Sequence, residues 1–155
     1  MPRRRPARRR ARLSSEPAAR PGEAYRQDLF AGRRVIVTGG TSGIGLAVAE
    51  AFAELGAEVL AAGLGSVSVR GPAAGLTVTE LDVTDGEAVA ELLAGTEPLD
   101  ALVNCAGVIR RDEEFAPEVF ADVLDVNLTG TMRCCVAALP ALRAARGCVI
   151  NTASM

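Results

Sequence analysis

The sequence predicts an α/β fold with a doubly wound parallel sheet, and three observations carry that expectation. Short apolar or β-branched runs alternate along the chain with segments whose apolar residues recur at helical spacing. The strand-like runs are apolar throughout rather than alternating, as strands covered on both faces must be. A glycine-rich turn joins the first such run to the first helix, where open α/β sheets present their ligand crevice.

The elements follow in order. Arg33 to Thr38 is a short β-branched run that stops at Gly39-Gly40, a buried strand feeding a tight turn. Gly43 to Leu55 carries Ile44, Val48, Ala51, Phe52 and Leu55 at helical spacing, and Gly56 stops it. Glu58 to Ala62 is a second strand, and Gly63 to Gly75, rich in Gly and Ser, is a loop. Leu76 to Val83 is a third strand with Asp82 near its end. Asp85 to Ala94 is a helix, with Val89, Leu92 and Leu93 on one face, and Leu99 to Val103 is the fourth strand. Pro117 suits the first turn of a long helix that runs to Leu139, where Pro140 must kink or end it. Gly147 to Asn151 is the fifth strand. Right-handed crossovers then order the sheet 3-2-1-4-5, with Val35 to Val37 central.

Charge divides the chain. The net charge is −2, yet residues 1–26 sum to +7 and residues 27–155 to −9. The first segment has nine Arg, four Pro and almost no large apolar side chain, so it is expected to be a disordered tail. A basic tail can hold nucleic acid or an anionic membrane. Its prolines and its lack of an apolar region argue against a targeting helix or signal, and a solvated tail without a partner is the simpler expectation. Residues 27–155 form the expected domain. No run of about 18 apolar residues is present, so no membrane span is expected.

Two absences exclude whole classes of chemistry. The chain has no His, and all 17 of its basic residues are Arg. A Ser-His-Asp triad, a His-ligated metal, a lysine Schiff base and a phosphate-binding P-loop lysine are therefore excluded. The four cysteines lack zinc-ligand spacing. Buried reduced thiols in a cytoplasmic protein are expected.

The sharpest motif is Thr38-Gly39-Gly40-Thr41-Ser42-Gly43-Ile44-Gly45, set between strand and helix. Gly39 takes the turn, Gly43 lets a diphosphate approach the backbone, and Gly45 lets the helix pack closely. The helix N-terminus offers unpaired N–H groups to the phosphates. The alternative is a glycine-rich turn without a ligand.

The spacing TGxxxGxG resembles the short-chain dehydrogenase/reductase family, and four further landmarks follow in register. Asp82-Val83 is similar to the acid after the third strand that meets the adenine. Asn104, Ala106 and Gly107 are similar to the NNAG motif, with Cys105 replacing the second Asn. Asn127 matches the helix Asn that supports the proton relay, and Ser154 the catalytic Ser. Singly, Asp82 could cap a helix, Asn127 could be an ordinary polar residue, and Ser154 a loop hydroxyl. The resemblance spans about 120 residues and implies a Rossmann-type fold. It also implies NAD or NADP as cofactor, a secondary alcohol or ketone as small-molecule substrate, and a homo-oligomer. Cofactor residues would be Gly39, Thr41, Ser42, Gly43, Ile44, Gly45, Asp82, Val83, Asn104, Ala106 and Gly107; catalytic residues would be Asn127 and Ser154. An acid at the end of the second strand would hold ribose hydroxyls and an Arg a 2′-phosphate. Gly63 to Ser66 supply neither, which leans toward NAD.

The family's Tyr-xxx-Lys pair has no counterpart here: the one Tyr is Tyr25, and there is no Lys. An unperturbed Tyr, with a pKa of about 10, is a poor base near neutrality. The sequence therefore reads as an N-terminal portion, truncated after the fifth strand and inactive as it stands; a non-catalytic dinucleotide-binding module is the alternative. Asn104 to Asp112 with Ala153-Ser154-Met155 is similar to the 2-deoxy-D-gluconate 3-dehydrogenase branch. Arg110 and Arg111 could suit a sugar acid there, or be solvated loop residues.

Overall fold

The computed structural model describes residues 25–65, 74–96, 98–113 and 115–153. The expected disordered tail lies outside these up to residue 24, as do Ser154 and most of the loop expected between Gly63 and Gly75. Five parallel strands, β1 (Arg34–Thr38), β2 (Glu58–Gly63), β3 (Leu76–Glu80), β4 (Ala101–Asn104) and β5 (Cys148–Asn151), form one sheet in the order β3-β2-β1-β4-β5. The expected order and the central place of Val35 to Val37 are both observed.

Strand geometry divides the core. Successive side chains of β1 point to opposite faces, so Val35 and Val37 join one buried cluster and Ile36 the other. Helix α1 (Gly43–Glu54) covers the first face, and α2 (Gly86–Ala94) and a long C-terminal helical segment cover the second. The face that α1 buries matches the expected one in part, with Leu55 buried. Gly45, Ala49 and Ala53 lie against the sheet, while Ile44 is 77% exposed and Val48 and Phe52 pack at the flank. Small residues win because the helix must lie close to the glycine turn. Asp85 caps α2, its carboxylate accepting from the Glu87 and Ala88 N–H groups at 3.0 Å each.

The long helix is the main departure from expectation. It comprises α3 (Pro117–Leu124), a π-helical turn at Asp125–Gly130, and α4 (Thr131–Ala145). Pro140 sits inside α4 and does not end it. Both Pro140 and Val136, whose carbonyl loses its i+4 donor, lie on the exposed side, where water can take the donor's place. The helix stops at Arg146, in the left-handed conformation with φ of 54°, and the Gly147 N–H closes on the Leu142 carbonyl at 2.8 Å.

Candidate dinucleotide crevice

The carboxyl ends of the strands open into a crevice of about 810 Å³. The turn after β1, the ends of β2 and β3, and the loop after β4 line it, with α3 and the π-helical turn completing the wall. Volumes of this order suit a cofactor-sized ligand.

The glycine turn is built by close approach. Gly39 has φ of +65°, and a side-chain carbon there would lie 2.6 Å from the Ala106 nitrogen. At Gly45 such a carbon would run into the Gly39 carbonyl and lie 3.1 Å from Cys105 Cβ. Gly45 thus closes the turn on itself and on the end of β4, besides lying against the sheet. Gly43 faces open space. The Thr41 hydroxyl donates to the Leu64 carbonyl at 3.2 Å, tying the turn to the end of β2. Ser42 has extended backbone at the N-cap. Among the described residues the N-terminus of α1 has no side-chain cap from Ser42 and no acid in its first turn, and it opens into the crevice.

Of the expected cofactor residues, Gly39, Thr41, Ser42, Gly43, Ile44, Gly45, Asp82, Val83, Ala106 and Gly107 line this space. Asp82 does not cap the following helix, which Asp85 does. Its carboxylate instead accepts from the N–H and hydroxyl of Thr84, both at 2.8 Å. Asn104 is 3% exposed and lies within the sheet rather than on the crevice wall. Its Nδ2 donates to Asn151 Oδ1 at 2.9 Å and to Cys135 Sγ at 3.4 Å, and its Oδ1 accepts from the Thr38 hydroxyl at 3.3 Å. Its carbonyl accepts from the N–H and hydroxyl of Thr152 at 3.1 and 2.9 Å. One buried amide so joins the ends of β1, β4 and β5.

Asn127 lies in the π-helical turn and is not part of the crevice lining. Its Oδ1 accepts from the Val108 N–H at 2.8 Å and its Nδ2 donates to the Val108 carbonyl at 2.9 Å. This reciprocal clamp holds the loop after β4, which carries Gly107 and Arg110. Ser154 lies outside the described residues. Arg110 lines the crevice and Arg111 does not. Sequence reasoning missed Val108, Glu113, Asp122, Asp125 and Val126 in the wall. Asp125 and Val126 are placed by the π-helical turn, which carries no local signal, and the others by the loop after β4 and by α3.

The cysteines divide by environment. Burial pushes the Cys134 thiol up to about 11, with the neighbouring Cys135 adding to it. Cys105 lines the crevice, where burial also raises it and a hydrogen bond with Thr152 partly offsets the rise. Cys148 is exposed on β5, against the expectation that its apolar run would bury it. Among the described residues no cluster of His, Cys, Asp and Glu could hold a metal, and no helix is long and apolar enough to cross a membrane.

A family model described as short chain dehydrogenase matches residues 33–155. An L-fucose dehydrogenase of Oryctolagus cuniculus is 35% identical over 136 residues, covering 81% of this chain and 48% of that one. A 2-keto-3-deoxy-L-fuconate dehydrogenase of Xanthomonas campestris is 32% identical over 130 residues, covering 80% and 43%. A solved short chain dehydrogenase/reductase family protein superposes with a TM-score of 0.69 at 33% identity, covering 79% of this chain and 55% of the other. The chain spans about half the length of the curated relatives that it matches.

Proposed function

Because the chain belongs to the short-chain dehydrogenase family, we propose that its crevice binds NAD in preference to NADP. We propose also that the whole protein moves a hydride between that cofactor and a secondary alcohol or ketone of a sugar or sugar acid. The observation that carries the cofactor reading is the N-terminus of α1, without a side-chain cap from Ser42, opening beside Gly43 into a crevice with room for a dinucleotide. The Gly39 to Gly45 turn would hold the diphosphate, Asp82 and Val83 the adenosine end, and Gly107 the nicotinamide end. The nicotinamide would supply or accept the hydride at C4.

The lean to NAD rests on the end of β2. Gly63 and Leu64 line the crevice there and offer no cation to a 2′-phosphate. The sugar reading is supported by the relatives' own names and by Arg110, whose guanidinium could pair with a carboxylate. Asn127 acts on the reaction through Val108, and Ser154 would bind the reacting oxygen.

The alternative reading is that these 155 residues bind a dinucleotide without catalysis of their own. These 155 residues contain no Lys, and Tyr25 is not among the crevice residues, so the proton-transferring pair of the family is not among them. Acid–base help of that kind is worth about 10²–10⁴ in rate, and this chain alone is expected to bind cofactor without turning over an alcohol.

Calorimetry with NAD and NADP tests the cofactor reading. NAD should bind more tightly than NADP. Gly45→Asp, which has no room beside the Gly39 carbonyl and brings an anion to the phosphate site, should weaken binding by at least roughly tenfold, the equivalent of about 1.4 kcal/mol. Unchanged affinity in that variant counts against the site. Alcohol-dependent reduction of NAD by the 155-residue chain would remove the second reading.

A further inference from the structure

The crevice wall contains two segments far apart in sequence: Asp82 and Val83 after β3, and Asp125 and Val126 in the π-helical turn. The last residue of that turn, Gly130, packs on Val83. A side-chain carbon at Gly130 would lie 2.6 Å from Val83 Cγ2, so only glycine permits this approach. Arg133, in the first turn of α4, spans both segments. Its Nη2 donates to Asp125 Oδ1 at 2.8 Å, and its Nη1 donates to the Val83 carbonyl at 3.4 Å. The guanidinium side chain is 30% exposed and the Asp125 side chain 42%, so the pair is partly shielded from water.

We propose that Arg133 is a positioning residue for the dinucleotide, holding the Asp82–Val83 wall against the π-helical turn so that the adenosine end meets a preformed surface. This rests on the cofactor reading of the crevice. A loop that the ligand must order binds more weakly than one already ordered, and Arg133 supplies that order from outside the cofactor's own contacts. The task suits arginine. Its planar fork directs separate N–H groups at a carboxylate and a carbonyl in different segments, whereas a lysine ammonium is a single point donor at the end of a flexible stem. The Asp82 carboxylate is already turned onto Thr84, which leaves the backbone at Val83 as the part of this wall that Arg133 secures.

The test uses the 155-residue chain with ADP, which carries the adenosine and diphosphate, and with NAD. Affinities are measured by calorimetry well below the melting transition, with folding checked by circular dichroism. Arg133→Ala should bind ADP roughly three- to tenfold more weakly, and Arg133→Lys should recover only part of that loss. Asp125→Asn should add little on the Arg133→Ala background, because Asp125 acts through the same guanidinium. A purely structural role would lower the melting temperature and leave the affinity of the folded protein unchanged. Wild-type ADP affinity in a folded Arg133→Ala or Arg133→Lys chain overturns the proposal. If Arg133→Ala does not fold, Arg133→Lys and Arg133→Gln give the same reading. A wild-type chain that binds neither ADP nor NAD removes the cofactor reading itself, a result distinct from an insensitive variant.

Discussion

Asp100 shows how one side chain can fasten the start of a central strand. Its Oδ2 accepts from the Arg34 N–H at 2.9 Å and its Oδ1 from the Arg33 guanidinium at 2.7 Å. Burial pushes its pKa up, but the Arg34 N–H and the Arg33 guanidinium outweigh that, and the carboxyl sits below its ordinary value. A depressed folded-state pKa contributes stability that is present above the unfolded value, 3.8, and lost as pH falls through the folded one. Asp100→Ala should therefore cost about 1–2 kcal/mol at neutral pH. Thermal denaturation of variant and parent should converge as pH falls through the folded value. A gap that persists in acid would mean that packing, not the charge, fastens β1.

At the scale of elements, the π-helical turn decides where Asn127 points. It carries one residue more per turn than the flanking α-helices, and such turns often mark functional positions. The Asn127 amide both accepts from and donates to the Val108 backbone. Asn127→Asp keeps the acceptor but turns a carboxylate toward the Val108 carbonyl. It should cost about 1–2 kcal/mol, measured by chemical denaturation; an unaffected midpoint would show that the loop holds itself. Local pattern made much of this fold legible. Continuous apolar runs gave the strands and their order, and the glycine spacing marked the turn. The π-helical turn was not legible, because a stripe such as Phe120, Leu124, Leu128 and Met132 reads as one unbroken helix. The helix also continues past Pro140 rather than ending there, because the carbonyl left without a donor faces water. The partners of Asn104 and Arg133 lie on other elements, which no local pattern reveals.

Across the whole molecule, two apolar surfaces stand out. Phe120, Leu124, Leu128, Met132 and Val136 are exposed along the long helical segment, and Val149 and Ile150 are exposed on the edge strand β5. A contiguous apolar stripe and an open strand edge are both templates for association. The 155-residue chain should therefore elute as oligomers or aggregate in size-exclusion chromatography, and Phe120→Glu with Ile150→Lys should shift it toward monomer. A monodisperse wild-type monomer would refute this. The sheet order has a further consequence, for assembly in time. The crevice closes only when β4 joins β1, through pairs such as Thr38 and Asn104, 66 positions apart. The turn after β1 emerges early in synthesis, yet until β4 arrives Gly39 has no Ala106 to lie against. Loop closure of that length makes such pairings slow. A ligand that recognises only the closed crevice would bind the finished fold and not its precursors, and would pull a late, hesitant step to completion by mass action. On the cofactor reading proposed above, a dinucleotide would then serve this chain as a folding ligand.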